Sequence, residues 1–304
     1  MSLLAVGTVA FDNIETPFGK AERAIGGAAT YITLAASYFL NDIRLVSVIG
    51  EDFPKEVLGD LKRRGIDQEG LQVIPGQKSF FWAGKYHNDL NTRDTLDTQL
   101  NVLANFNPVL PERYKSSDFL MLGNLTPIVQ MKVIEQMTRR PQLIALDTMN
   151  FWMNTAMEGL RAVLKRVDML IINDEEARQL SSEYSLVKAA QIIHAMGPRY
   201  IVIKKGEHGA FLFEGENIFY APALPLSEVF DPTGAGDTFA GGFMGYLAKT
   251  ADLSFENLKR AVIYGSAMAS FCVERFSIER LTDLTQEDIN ARVQRFVDLV
   301  NFNV

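Results

Sequence analysis

The chain has 304 residues, 47% of them hydrophobic, enough to build a large buried core as one α/β unit. Its formal net charge of −7 argues against bulk electrostatic binding to nucleic acid or an anionic membrane, and no apolar run reaches the roughly 20 residues that span a bilayer. One cysteine, Cys272, excludes an internal disulfide, and the histidines His87, His194 and His208 lack metal-ligand spacing.

Leu3 to Gly7 is a short apolar run closed by glycine, the pattern of a buried strand. No basic flank accompanies it, so we expect no secretory signal and a cytoplasmic protein. Tyr31 to Phe39 reads as a helix, Arg44 to Ile49 as a strand, and Pro54 to Arg64 as a helix closed by Gly65. Leu71 to Val102 breaks this rhythm. It holds the strand-like run Ser79 to Tyr86 and the polar stretch Asn88 to Gln99, and is expected to form antiparallel strands projecting from the main sheet. The plain alternative is an edge hairpin whose aromatics Phe81 and Trp82 only pack. Exposed strands of this kind can also pair between subunits, so a homodimer through them is an expectation.

Strands and helices then alternate: Phe119 to Leu122, Pro127 to Thr138, Leu143 to Leu146, Glu158 to Lys165, Met169 to Ile172, Glu175 to Leu180, Leu186 to Met196 and Tyr200 to Ile203. This order predicts a mostly parallel sheet with helices on both faces. Such sheets bind ligands beyond the C-terminal ends of their strands, and Gly7, Gly50, Gly123, Asp147 and Asn173 fall there. Cys272 lies in a small, apolar, helix-like run and reads as buried packing. Gln286 to Val300 reads as a final amphipathic helix.

The stretch Asp231-Pro232-Thr233-Gly234-Ala235-Gly236-Asp237-Thr238-Phe239 carries the chemistry. Small residues let a backbone turn sharply and approach a ligand. The helix predicted to start at Thr238 offers unpaired N–H groups at the positive end of its dipole, a natural seat for phosphate. A carboxylate there would repel phosphate, so Asp237 is read as a base for an attacking hydroxyl. The plain alternative is a helix N-cap. Gly241, Gly242 and Gly245 are expected to let this helix pack closely on a neighbour.

Residues 231 to 243 resemble the C-terminal signature of the ribokinase-like, or PfkB, family of carbohydrate kinases. Gly26-Gly27-Ala28-Ala29-Thr30-Tyr31, Gly50-Glu51-Asp52-Phe53, Asn173-Asp174-Glu175-Glu176 and Lys205-Gly206-Glu207-His208-Gly209 match further blocks in the family's order, from residue 3 to about 275. The resemblance implies one kinase domain over residues 1–304. Its fold would be a three-layer α/β fold with a small β lid from about 9–20 and 77–104 over the acceptor.

It also implies roles. Asp237 would be the general base, and Gly234, Ala235 and Gly236 the anion hole. Asn173 and Glu176 would organise Mg²⁺ through water. Asp12, Gly26, Gly27 and Tyr31 would bind the acceptor, and Lys205, Gly206 and Gly209 would lie near ATP. Asp231 and Thr233 match positions that hold a monovalent cation such as K⁺ in some members.

Three departures stand out. Tyr31 replaces a frequent asparagine. Asp147-Thr148-Met149-Asn150-Phe151-Trp152 lacks the arginine of the family's middle pattern. Cys272 to Ser277 lacks the usual glycine-bearing turn. The expected activity is ATP-dependent phosphorylation of a sugar or polyol hydroxyl. The rival acceptor is a nucleoside, on whose base Tyr31, Phe81 or Trp82 would stack. A silent ligand-binding homologue is the rival from another class. Neither Gly-x-x-x-x-Gly-Lys-Ser/Thr nor Gly-x-Gly-x-x-Gly after the first strand occurs, which argues against a P-loop kinase and a dinucleotide dehydrogenase.

Overall fold

Runs rich in Val, Ile and Leu supply the strands, as their branched side chains suit a sheet buried on both faces. The computed structural model describes residues 1–301. Its strands are β1 (Leu3–Val6), β2 (Ala10–Thr16), β3 (Gly19–Gly26), β4 (Ile43–Gly50), β5 (Ile66–Ile74), β6 (Phe80–Tyr86), β7 (Arg93–Gln99), β8 (Phe119–Leu122), β9 (Leu143–Asp147), β10 (Met169–Asn173), β11 (Tyr200–Lys204), β12 (Ala210–Glu214) and β13 (Asn217–Ala221). The helices are α1 (Ala28–Ala36), α2 (Lys55–Arg63), α3 (Pro127–Gln136), α4 (Asn150–Thr155), α5 (Met157–Leu164), α6 (Asp174–Ser181), α7 (Leu186–His194), α8 (Ala235–Thr250), α9 (Phe255–Cys272), α10 (Glu279–Thr282) and α11 (Gln286–Val300).

Nine strands form one sheet in the order β13-β12-β11-β10-β9-β8-β1-β4-β5. Neighbours from β11 to β5 run parallel, and β12 and β13 add an antiparallel edge. Alternation along each strand divides the core. On β11, Tyr200 and Val202 pack with Phe239 and Phe243 of α8, while Ile201 and Ile203 pack with Leu164 and Leu180 on the other face. The result is three layers, helix over sheet over helix. The glycines of α8 act as expected: a side chain at Gly241 would overlap the carbonyl oxygen of Ile32, so α8 and α1 touch backbone to backbone. No described helix is long and apolar enough to cross a membrane.

A second sheet has the order β3-β2-β6-β7. Two expectations are corrected here. Leu71 to Ile74 does not project from the main sheet, because β5 pairs in parallel with β4 and closes one edge. The small sheet is not wholly antiparallel either, since β2 and β6 run parallel. Its strands also extend to Gly26, past the expected limit near residue 20. The segment after Asp147 turns into α4.

Candidate active site

Asp147, Asn173 and Lys204 are the last residues of β9, β10 and β11. Register places Asp147 opposite Ile171, and Asn173 opposite Lys204. Each continues the alternation that puts Ala145, Ile171 and Val202 on the α8 face, so all three leave the sheet on that side. The Lys204 ammonium lies 3.9 Å from Asp147 Oδ1. A side chain at Gly236 would meet it at 2.8 Å, so the ammonium sits against the first turn of α8.

Sequence reasoning had pointed to the next lysine, Lys205. Its ammonium lies instead over the Phe211 ring, 5.8 Å from the centroid, and its N–H donates to the Gly209 carbonyl at 2.7 Å. Gly206 and Gly209, both at positive φ, form the tight turn that follows. The alternation Tyr200, Val202, Lys204 was the signal that separates the two lysines.

Gly234 precedes α8 in the left-handed region, at φ 75°, with its backbone lying against the Tyr31 ring. Of the three expected amides, Ala235 is corrected. Its N–H donates to the Pro232 carbonyl at 3.2 Å, closing the turn that enters the helix. The N–H groups of Gly234, Gly236 and Asp237 have no acceptor among the described residues. Asp237 is not the N-cap, which is Gly234, and its side chain makes no hydrogen bond among the described residues. Burial and next Asp147 push its carboxyl up to about 7, against the pull of Lys204 and Arg93.

Asp12 on β2 is 5% exposed, and its carboxylate has no hydrogen-bond partner among the described residues. Burial raises its pKa to about 7, with Asp231 and Asp237 adding to the rise. Gly27, at φ 94°, caps α1 and packs its backbone on that of Thr8. Trp82 stands opposite Asp12 on β6, and its partly exposed ring covers Gly84. Tyr86, two residues past Gly84 on the same face, accepts a hydrogen bond from Thr233 Oγ1 at 3.2 Å. The small sheet is thereby fixed over the start of α8.

Tyr31 is 1% exposed beneath Gly234, and its hydroxyl has no partner in the described structure. That placement corrects the idea of its ring stacking on a ligand and leaves only the hydroxyl to face the acids. Phe81 packs against the main core, whereas Trp82 is the partly exposed lid aromatic, lying over Gly84.

Asn173 and Glu176 form a capping box at the start of α6: Asn173 Oδ1 accepts from the Glu176 N–H and Glu176 Oε2 from the Asn173 N–H, both at 2.8 Å. Burial and next Asp147 push the Glu176 carboxyl up to about 7. No group of three or more acids, histidines or cysteines among the described residues forms a metal cage. Oxygen donors from one or two side chains suit Mg²⁺, which keeps most of its water and takes phosphate oxygens. Asp231, 1% exposed, accepts from the N–H of Thr233 at 2.8 Å and of Ser277 at 3.1 Å. It ties its loop to the segment after α9.

The family model described as pfkB family carbohydrate kinase matches residues 11–282. The chain is 30% identical to the cytidine kinase of Thermococcus kodakarensis over 248 residues, 80% of this chain and 87% of that protein. Among solved structures it is similar to the nucleoside kinase of Burkholderia thailandensis in complex with inosine, with a TM-score of 0.77, 19% identity and coverage of 96% of this chain and 97% of that one. The Methanocaldococcus jannaschii nucleoside kinase, an archaeal member of the ribokinase family, also gives 0.77, at 20% identity over 97% of this chain and 99% of that one. At these identities the two structures bear out the expected ribokinase-like fold.

Proposed function

The chain belongs to the pfkB family of carbohydrate kinases, and on that premise we propose that it phosphorylates a sugar hydroxyl of a nucleoside with ATP, using Asp237 as general base. The observation that carries the nucleoside reading is the register of Asp12 with Trp82. Parallel partners project to one face of a sheet, so a carboxylate and an indole stand side by side over the start of α8. An unpaired carboxylate accepts hydrogen bonds from sugar hydroxyls, and a flat ring offers a base a stacking surface. A base offers that ring a larger flat face than a sugar does, so a nucleoside uses both features at once. The cytidine kinase and the inosine-bound nucleoside kinase that the chain resembles favour the same reading, beside relatives named ribokinase and inositol 3-kinase.

In the proposed reaction the acceptor hydroxyl gives its proton to an Asp237 carboxylate oxygen as its own oxygen bonds to the γ-phosphorus. The bond from that phosphorus to the bridging oxygen breaks, and ADP leaves with the electron pair. The free N–H groups of Gly234, Gly236 and Asp237 donate to the phosphoryl oxygens, and Lys204 adds a fixed positive charge beside Gly236. Asn173 and Glu176 would hold Mg²⁺ through water. When bound, the ion supplies charge neutralisation on the donor phosphates. Carboxyls raised by burial, with Asp147 adding to the rise, fit a site built to receive a cation.

A panel of nucleosides, ribose and inositols, assayed for phosphorylation, tests the acceptor class. Nucleosides are the expected acceptors. Trp82→Ala should raise their KM roughly tenfold, the usual worth of a stacked base. Turnover of free sugars or inositols with nucleosides inert would overturn the reading.

A further inference from the structure

The hairpin between β6 and β7 reaches across the cleft. Asp89 holds its tip, accepting from the N–H groups of Asn91 at 3.1 Å and Thr92 at 2.9 Å. Asn91 Oδ1 lies so close to the turn after β11 that a side chain at Gly206 would meet it at 2.6 Å. Arg93, two residues on, opens β7 directly opposite Tyr86. Residues opposite one another in an antiparallel pair share a face, and Tyr86 uses that face to reach Thr233. The register therefore turns Arg93 toward the start of α8.

Arg93 is exposed and makes no salt bridge among the described residues. Its guanidinium stands 5.9 Å from the Trp82 ring centroid. The same orientation brings its charge to bear on the acids of the cleft, drawing the Asp237 carboxyl down against burial. The other cation acting on those acids, Lys204, is already shared with Asp147.

A triphosphate entering beside Asp147, Glu176 and Asp237 meets an excess of negative charge, and one shared ammonium is a weak counterweight. We propose that Arg93 is a catalytic residue delivered by the lid, its guanidinium contacting the oxygens of the transferring phosphoryl group. This rests on the kinase reading above. A planar fork of N–H donors matches phosphate oxygens better than an ammonium does. Because Arg93 rides on the strand beside the acceptor platform, closure over the acceptor and charge neutralisation at phosphorus become one event.

The test compares wild type, Arg93→Gln and Arg93→Lys in acceptor-dependent phosphorylation and in binding of ADP with aluminium fluoride, a mimic of the transferring group. Arg93→Gln should lower kcat by about 10²-fold or more, with the acceptor KM held within about threefold. Binding of ADP with aluminium fluoride and acceptor should weaken by a similar factor while ADP alone binds as before. Arg93→Lys, which keeps charge and loses the fork, should fall between. Melting should be unchanged, as no ion pair is lost. A rise in acceptor KM at unchanged kcat, or unimpaired binding of the mimic, would overturn the proposal. An active wild type beside an unimpaired Arg93→Gln sinks this inference alone, whereas a wild type inert on every acceptor sinks the kinase reading beneath it.

Discussion

The carboxylate of Asp12 occupies the space that a side chain at Gly26 would fill. The two face each other across the β2–β3 pair, where Asp12 stands opposite Ala24 and the strand ends at Gly26. The neighbouring acid thus opposes any side chain at 26. Gly26→Ala should push the carboxylate aside by rotating a side chain, which the fold tolerates. We expect the acceptor KM to rise about tenfold or more, with kcat less affected and the ATP KM unchanged. Steady-state kinetics checks this, and an unchanged acceptor KM would remove Asp12 from acceptor binding.

The acids of the cleft also set how stability responds to pH. Asp12, Glu176 and Asp237 are each raised to about 7, chiefly by burial. Unfolded, they titrate near 4. Between those values the folded chain binds more protons than the unfolded chain, so stability falls as pH rises from about 4 to 7 and then levels. Without nucleotide or metal, the melting temperature should be a few degrees higher at pH 5.5 than at 7.5. Asp12→Asn should melt higher than wild type at pH 8 and flatten this slope. A melting curve that climbs from pH 5.5 to 7.5 would contradict the assignment.

Dependence on a monovalent cation should be weak. Both Asp231 carboxylate oxygens already accept from N–H groups of Thr233 and Ser277. The Val273 carbonyl accepts from Phe230 and Asp231, and the Thr233 carbonyl from the Cys272 thiol. These bonds organise the loop without an ion. Exchanging K⁺ for Na⁺ at constant ionic strength should change kcat/KM by less than about threefold. A larger stimulation by K⁺ would show that these oxygens are lent to a cation during turnover.

Much of this architecture was readable from local pattern. The β8 strand and the α11 helix fall at the residues where apolar periodicity put them. Asp237, Asn173 and Glu176 gather at one end of the sheet because each ends a strand or opens a helix there. What escaped depends on pairing between distant segments. Nothing near Ile66–Ile74 announces a partner in β4, and nothing near Phe80–Tyr86 tells whether β2 runs alongside it parallel or antiparallel. Arg93 faces the cleft only because of its register with Tyr86, and its own neighbourhood is a plain polar strand. Lys204 was within reach, since strand alternation alone distinguishes it from Lys205. Ala235 was beyond reach, because the bond that occupies its amide forms only once Pro232 has turned.

The account turns on whether the acid in the first turn of α8 takes the acceptor's proton. Asp237→Asn keeps the shape and the free amides and removes the base. The most direct measurement is single-turnover phosphoryl transfer by this variant, with ATP affinity determined alongside. The account predicts a rate lower by about 10²–10⁴-fold with ATP bound about as tightly as in wild type. A rate within about threefold of wild type would contradict it.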